Sequence, residues 1–152
     1  MMDLQEVKRL EMYLKKSEFR LLRKRLDREN LYKGDPMLLM IVANNSGLTQ
    51  SEIAKKLCVK PATLTVMLQR MEGAGLVIRH PSPRDQRSQL VYITEEGKRI
   101  SGQTWSLVKD LIQDVYRGIS EEEMESYRRI LERIQKNVDL LIQEDSRSKE
   151  ES

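Results

Sequence analysis

The side chains in this sequence with the greatest capacity for chemistry are polar and cationic groups between residues 60 and 87. Thr63, Thr65 and Gln69 recur in a stretch of helical periodicity that begins at Pro61. Hydroxyl and amide groups at this spacing can bond to the edges of nucleic-acid bases, and a glutamine amide can do so with two bonds. A solvated helix face explains the same residues equally well.

Four cations extend this polar surface. Lys60 precedes Pro61, where a positive charge opposes the helix dipole unless an anion such as a phosphate binds there, and Arg70 lies further along the same helix. Arg84 and Arg87 lie in a loop of turn-forming residues, and such a tip suits the minor groove of A·T-rich DNA, whose negative potential attracts arginine. A solvated lysine at position 60 and an ordinary ion pair with Asp85 at the loop tip are the alternatives.

The residue content gives little support to catalysis. The chain has one histidine, His80, and one cysteine, Cys58, which argues against histidine-based metal sites and catalytic triads and excludes an internal disulfide framework. The acidic pairs and triplets at 95–96 and 121–123 stand at helix starts, where capping explains them. We therefore expect no enzymatic activity, no metal and no cofactor, and we expect His80 to contact phosphate or solvent.

Two short helices would hold the polar residues in place. Thr49 and Glu52 form a capping box that starts the first helix. Pro61 suits the first position of the second helix, which should end at Gly73 and Gly75. Two helices of this length, joined by a short turn, allow the second to lie in a DNA major groove while the first crosses the backbone.

A predicted β-hairpin follows these helices. The β-type runs at 76–78 and 90–93 flank a polar loop at 81–88, which indicates two strands with an exposed basic tip. The segment 48–94 contains seven Lys and Arg residues against three Asp and Glu residues, a net charge of +4 in a chain whose net charge is +3. The positive charge therefore coincides with the elements that would contact a nucleic acid.

The segments TQSEIAKKL, PATLTVMLQRMEGAGLVIR and PRDQRSQLVYIT closely resemble the multiple antibiotic resistance regulator (MarR) family of winged-helix transcription factors. The most specific element is the Asp-x-Arg-Ser signature at 85–88, with Thr94 and Gly97 after it. The resemblance covers almost the whole chain. It implies that residues 61–72 form the recognition helix and that Arg87 is the wing arginine that enters the minor groove.

Two positions in this region need a separate interpretation. The sequence departs from the family pattern at Val66, where many members have a polar or basic residue, so contact with the methyl group of thymine is the alternative to a polar base contact. Asp85 would repel phosphate if it faced DNA, and we assign it to orienting a wing arginine. The predicted DNA-contacting residues are then Lys60, Thr63, Thr65, Val66, Gln69, Arg70, Arg84 and Arg87.

The resemblance also implies release from DNA by a small molecule, often an aromatic acid or other phenolic compound. The usual pocket of the family lies between the dimerisation helices and the winged motif. Candidates here, on the chemistry of their side chains, are Tyr13, Arg20, Met37, Met40 and Trp105. Core packing is the alternative interpretation for the two methionines.

Cys58 lies in the predicted turn between the two short helices. Its position between two apolar residues predicts a small buried side chain that fills space. Peroxide-sensing members of the resembled family have a reactive cysteine in the first helix, and this chain has none there. A redox-switched regulator that acts through Cys58 is the alternative.

The rest of the sequence predicts long amphipathic helices. The first spans about residues 3–29 and has two apolar stripes. Asp35 and Pro36 start a second helix, whose apolar run at 37–42 should be the buried centre of the domain. The final helix has apolar residues spaced 3, 4, 3, 4 and 3 from Met124 to Leu141, a heptad seam that requires a partner helix.

The predicted organisation is a single domain over residues 1–152, mainly α with a small β-wing. The winged helix-turn-helix part spans 35–94, dimerisation helices span 3–33 and 95–142, and residues 143–152 form a disordered tail. Paired terminal helices would build a homodimer, to which an intramolecular helical bundle is the alternative.

These features together predict a cytoplasmic transcription regulator without membrane contact. It should be a repressor that binds double-stranded DNA at a pseudo-palindromic operator and is released by a small-molecule effector. A winged-helix adaptor that binds another protein is the alternative.

Overall fold

The computed structural model describes residues 3–150, with their side chains through residue 147. The elements are α1 (Leu4–Arg28), α2 (Pro36–Asn44), β1 (Leu48–Thr49), α3 (Gln50–Leu57), α4 (Pro61–Gly73), β2 (Val77–Pro81), β3 (Gln89–Ile93), α5 (Glu95–Val115) and α6 (Glu121–Glu150). Long helices and one small antiparallel sheet confirm the predicted fold class. The chain divides into two compact units, one extending to Ile112 and the other starting at Gln113.

The helices begin where the capping signals predict. Asp35 accepts a hydrogen bond of 2.9 Å from the amide of Leu38 at the start of α2. At the start of α3, the Glu52 amide donates to the Thr49 hydroxyl at 3.2 Å, and the Glu52 carboxylate accepts from the Thr49 amide at 2.8 Å. The predicted capping box is therefore confirmed, and each bond satisfies an amide that the helix itself leaves without a partner.

The sheet has three strands in the order β1-β3-β2, all antiparallel. The sequence predicted only two, because β1 has two residues and no periodicity of its own. Leu48 pairs with Val91, and the amide of Gly47 donates to the carbonyl of Val91 at 3.1 Å. This third strand fixes the chain that leads into α3 against the middle strand of the wing.

One apolar core holds the short helices and the sheet together. It consists of fully or almost fully buried side chains from α2, α3, α4, the sheet and the first turns of α5: Leu38, Leu39, Val42, Ile53, Ala54, Leu64, Leu68, Met71, Leu76, Val77, Val91 and Ile100. The prediction that the apolar run of α2 is the buried centre is confirmed for Leu38, Leu39 and Val42, whereas Met37 in the same run is 58% exposed. Each buried Val, Leu, Ile or Met side chain stabilises the folded state by about 1.5–3 kcal/mol relative to an exposed one.

The start of α5 is joined closely to the end of α4. The Thr94 hydroxyl donates to the carbonyl of Gly75 at 2.6 Å and accepts from the amide of Gly97 at 2.9 Å. A Cβ atom at Gly97 would lie 2.1 Å from the carbonyl oxygen of Leu76. Only glycine therefore permits this approach, and the spacing between Thr94 and Gly97 has a structural cause.

The long helices α1 and α6 leave most of their apolar residues exposed. Leu26 is the only buried residue of α1, and no residue of α6 is buried among those whose side chains are described. The exposed residues include Leu10, Met12, Leu14, Phe19 and Leu21 in α1, and Tyr127, Leu131, Ile134, Val138 and Leu141 in α6. Among the described residues, most of the predicted stripes and seam is thus exposed, and Leu26 is the buried exception.

Helix α6 extends further than the sequence suggested. It continues to Glu150, whereas residues 143–152 were expected to form a disordered tail. Good helix formers such as glutamate, glutamine, lysine and arginine prevail there, and the hydroxyl of Ser146 bonds to the carbonyl of Ile142 at 2.8 Å. Residues 151 and 152 of the expected tail lie outside the described residues. Within the described part of the chain, no helix has the length and apolar character needed to cross a bilayer.

Candidate nucleic-acid interface

Helix α4 has one buried face and one open face. Leu64, Leu68 and Met71 are fully buried in the core, which fixes the rotation of the helix about its axis. The opposite face consists of the predicted contact residues: Lys60, Thr63, Val66, Gln69 and Arg70 are exposed, and Thr65 is half-buried. The structure therefore leaves all six candidates on or next to α4 at least partly accessible.

The N-terminus of α4 has free hydrogen-bonding capacity. Lys60 is the N-cap residue, and its side chain makes no capping bond. Pro61 occupies the first helical position and has no amide proton to satisfy. An anion near this end would gain from the remaining amides and from the lysine charge.

Internal hydrogen bonds shape the wing loop. The amide of Ser82 donates to the carbonyl of Ser88 at 2.8 Å and closes the loop. Asp85 accepts from the amide of Arg87 at 3.0 Å and from the hydroxyl of Ser88 at 3.1 Å. Asp85 thus contacts the backbone of Arg87, and its role in orienting a wing arginine stays a prediction. The side chains of Arg84 and Arg87 remain exposed at the tip.

An ion pair joins the wing to the recognition helix. The guanidinium of Arg79 on β2 contacts the carboxylate of Glu72 on α4 at 2.6 Å and the amide oxygen of Gln50 on α3 at 3.1 Å. Sequence reasoning counted Arg79 only among the positive charges. In the structure, Arg79 connects three elements, β2, α4 and α3.

The proton affinities of this pair reflect their contact. Hydrogen bonding to Arg79 holds the pKa of the Glu72 carboxyl below its ordinary value, although partial burial opposes this. The same hydrogen bond raises the pKa of Arg79 above that of a free guanidinium. Both groups are therefore charged across the physiological range.

A cleft of about 200 Å³ lies between the start of α3 and the wing. It is lined by Thr49, Gln50 and Ser51 on one side and by Arg87, Ser88 and Gln89 on the other. The first helix of the pair and the wing arginine thus line one cleft.

Cys58 and His80 lie at the edge of this region. Cys58 is exposed and adopts a left-handed conformation with φ of 54° at the C-terminus of α3, so the expectation of a buried side chain was wrong. The tight turn between α3 and Pro61 requires this conformation, which directs the side chain away from the core. His80 is exposed in β2, and its ring lies 5.8 Å from that of Tyr92.

The five candidates for an effector pocket are not gathered around the clefts of the first unit. Tyr13 and Arg20 lie on exposed positions of α1, and Met37 is exposed while Met40 is half-buried in α2. Trp105 is exposed on α5, with the ammonium of Lys109 at 5.5 Å from its ring. None of the five lines the clefts of about 400, 320 and 200 Å³ found in this unit.

Comparison with known proteins identifies the family. The family model of MarR matches residues 35–89, which include the α3–α4 pair and the wing loop. The chain is 32% identical over 104 residues to the transcriptional repressor IacR of Pseudomonas putida, a match that covers 68% of this chain and 62% of that protein. Residues 35–89 of the chain match the MarR family.

Other MarR-family relatives agree with this placement. The organic hydroperoxide resistance transcriptional regulator of Bacillus subtilis is 36% identical over 72 residues, 47% of this chain and 49% of that protein. The chain thus spans about half to three fifths of the length of these two curated relatives. A mutant MarR of E. coli, solved in complex with operator DNA, superimposes with a TM-score of 0.77 at 29% identity and covers 88% of this chain and 99% of that one.

The MarR segment contains all of the predicted contact residues and the ion pair between Arg79 and Glu72, which the sequence did not reveal. The relatives are named as transcription regulators, which agrees with the prediction that the chain is not an enzyme. No group of three or more His, Cys, Asp or Glu side chains suited to a metal occurs among the described residues. Glu72 and Arg79 were missed because they lie seven positions apart on a helix and a strand, a separation to which no sequence rule applies.

Proposed function

We propose that this protein is a DNA-binding transcription regulator that acts as a homodimer and represses from a pseudo-palindromic operator. The observation that carries the proposal is the open face of α4, whose polar and cationic residues stand opposite a fully buried face. A helix held in this way can enter a major groove as a rigid body.

The proposed contacts fall into two groups. Thr63, Gln69 and Val66 face base edges, whereas Lys60 and Arg70 neutralise phosphates. Arg84 and Arg87 at the wing tip contact the minor groove or its phosphates. Phosphate contacts supply most of the affinity and base contacts supply the choice of sequence.

The homodimer proposal is supported by the exposed apolar surfaces of α1 and α6. Phe19 is 51% exposed and Leu141 is 58% exposed, values that a chain in water tolerates poorly when such residues are contiguous. A second copy with the same seam would cover them through an isologous interface. Two recognition helices about 34–36 Å apart then meet successive major grooves on one face of DNA.

The test combines mass and binding. Sedimentation velocity should give a dimer at micromolar concentration, and Leu131→Asp together with Val138→Asp should give a monomer, because each places a charge in the seam. Selection from a library of random duplexes should yield a site with two inverted halves. A monomer at every concentration that binds no duplex even at low salt would overturn the proposal and favour an adaptor that binds another protein.

Release by a small effector is the second part of the proposal. One relative is named a repressor of the homoprotocatechuate degradative operon, and an aromatic or phenolic effector fits the exposed aromatic groups of Tyr13 and Trp105. Arg20, Met37 and Met40 are the other three candidates, and none of the five lines the clefts described in the first unit. A ligand acts here only by binding the free geometry more tightly than the DNA-bound one.

The intrinsic fluorescence of the protein provides the test, since Trp105 is its only tryptophan. A panel of hydroxybenzoic and dihydroxyphenylacetic acids should include a compound that changes Trp105 emission and, at the same concentration, releases the selected duplex. If a compound releases DNA without changing the emission of Trp105, the effector binds away from Trp105 and the proposed location of the pocket is wrong.

Redox control through Cys58 is a second candidate, favoured by the exposure of its sulfur. Oxidants reach only accessible thiols. If peroxide releases the protein from DNA, Cys58→Ser should abolish that release and leave the affinity of the reduced protein unchanged.

A further inference from the structure

The middle of the open face of α4 is apolar. Val66 is 48% exposed, although it lies between the exposed polar residues Thr63 and Gln69, one turn away on either side. The buried face of the helix is already filled by Leu64 and Leu68, so packing within the chain does not account for Val66.

Two neighbours enlarge this apolar area. Ala62 lies three positions before Thr65 and four before Val66, and residues spaced i, i+3 and i+4 are adjacent on a helix surface, so Ala62 borders both of the others. Ala62 is exposed and offers only a methyl group. The hydroxyl of Thr65 already donates its proton to the carbonyl of Pro61 at 3.0 Å, so its methyl group is the part left for an apolar contact. We call Ala62, Thr65 and Val66 the methyl cluster.

The major groove of DNA offers one apolar group to such a surface, the methyl at C5 of thymine. Apart from C–H groups such as that at C5 of cytosine, the other major-groove groups of the four bases are hydrogen-bond donors or acceptors. A methyl cluster set against those groups would remove them from water without compensation, which is unfavourable. Against a thymine methyl, it would remove apolar surface from water on both sides.

We propose that the methyl cluster, centred on Val66, reads the C5-methyl group of pyrimidines in each half of the DNA site. This inference rests on the proposed function. It has a consequence for modified DNA, because 5-methylcytosine carries its methyl group at the same C5 position. The chain therefore recognises 5-methylcytosine in place of thymine at the position that Val66 covers.

The first experiment removes one methyl group from the DNA. In a duplex selected from the random library, each thymine is replaced in turn by deoxyuridine, which differs only by that methyl. At the thymine facing Val66, the dissociation constant should rise about fourfold per half-site, which corresponds to the burial of one methyl-sized group. Deoxyuridine at other thymines should leave it unchanged.

The second experiment assigns the effect to Val66. In Val66→Ala, the same deoxyuridine replacement should change the dissociation constant by less than about twofold, because the partner of the methyl has been removed. The matched control is Lys60→Ala, which should weaken binding to the thymine and deoxyuridine duplexes by the same factor. Val66 is exposed, so its replacement leaves the core intact.

The third experiment uses methylated cytosine. A duplex with cytosine at the position that faces Val66 should bind more weakly than one with thymine. Replacing that cytosine with 5-methylcytosine should lower the dissociation constant of wild type about fourfold and should leave that of Val66→Ala unchanged. The inference is overturned if deoxyuridine has no effect at any thymine, or if its effect persists in Val66→Ala. Binding to no duplex at all would instead overturn the proposed function itself.

Discussion

The guanidinium of Arg79 lies 2.6 Å from the carboxylate of Glu72 and connects the first strand of the wing to the end of the recognition helix. The side chains of the pair are only 21% and 31% exposed, unlike those of the other ion pairs on the long helices. A partly buried pair that also bonds to Gln50 has less freedom than a surface pair, so it fixes the angle between wing and helix. The first two predictions concern this contact.

Removal of the cation should destabilise the protein and misplace the wing. We expect Arg79→Ala to lower the free energy of unfolding by about 1–2 kcal/mol, because Glu72 is left partly buried without its partner. The pair is partly exposed, so solvent screening keeps the loss from being larger. Urea unfolding measures this value. The control is Arg99→Gln, which breaks the exposed pair with Glu96 and should leave stability almost unchanged, because exposed ion pairs contribute little. Equal effects of the two substitutions would show that the junction has no special role.

The same pair predicts a dependence on acid. Since Arg79 depresses the pKa of Glu72 in the folded state, the stabilisation is complete above the unfolded-state pKa of the carboxyl and is lost as the pH falls through the folded-state pKa. Wild type should therefore be more stable than Glu72→Gln at pH 7, and the difference should shrink once the pH falls below about 4. Urea midpoints of both proteins at several pH values give the comparison. A difference that stays constant down to the lowest pH would contradict the assignment.

The exposed wing arginine should matter for DNA and not for folding. We expect Arg87→Ala to weaken binding to the selected duplex by about 1–3 kcal/mol if the side chain contacts the groove directly. Its unfolding curve should match that of wild type, since only the backbone amide of Arg87 bonds to Asp85. Fluorescence anisotropy measures the affinity. Unchanged affinity would remove the wing from the proposed interface.

One methyl group added at Gly97, where α5 packs closely against the loop after α4, should destabilise the protein. Gly97→Ala places a Cβ atom against the carbonyl oxygen of Leu76, and the overpacking should cost about 3 kcal/mol. Gly102→Ala on the same helix is the matched control, because no atom lies within 4 Å of the added Cβ. It should stabilise the protein by about 0.5–1 kcal/mol through the better helix propensity of alanine. The ranking of the two variants in thermal unfolding checks the prediction.

Local signals allowed the start of each short helix to be predicted. The caps at Asp35 and Thr49 and the proline at position 61 act on the backbone within three or four residues, so their effect is visible in the sequence itself. The open face of α4 was also predictable, because helical periodicity separates it from the apolar face. Which of its residues touch DNA stays a prediction.

The contacts between distant segments could not be predicted in this way. The pairing of Leu48 with Val91 depends on how the folded chain brings β1 to the wing, and two residues are too few to show a period. The bond between Arg79 and Gln50 joins residues 29 positions apart. The left-handed backbone of Cys58 follows from the turn required before Pro61, which outweighed the preference of cysteine for the interior.

The junction at Thr94 and Gly97 has a mechanical consequence. The Thr94 hydroxyl bonds to the carbonyl of Gly75 and to the amide of Gly97, and Gly97 packs closely against the backbone of Leu76. These contacts restrict movement between the first turn of α5 and the loop that follows α4. When the first turn of α5 tilts, we expect α4 and the wing to move with it as one rigid body. In the proposed dimer, a small angular change at this contact would alter the distance between the two α4 helices that are proposed to contact DNA.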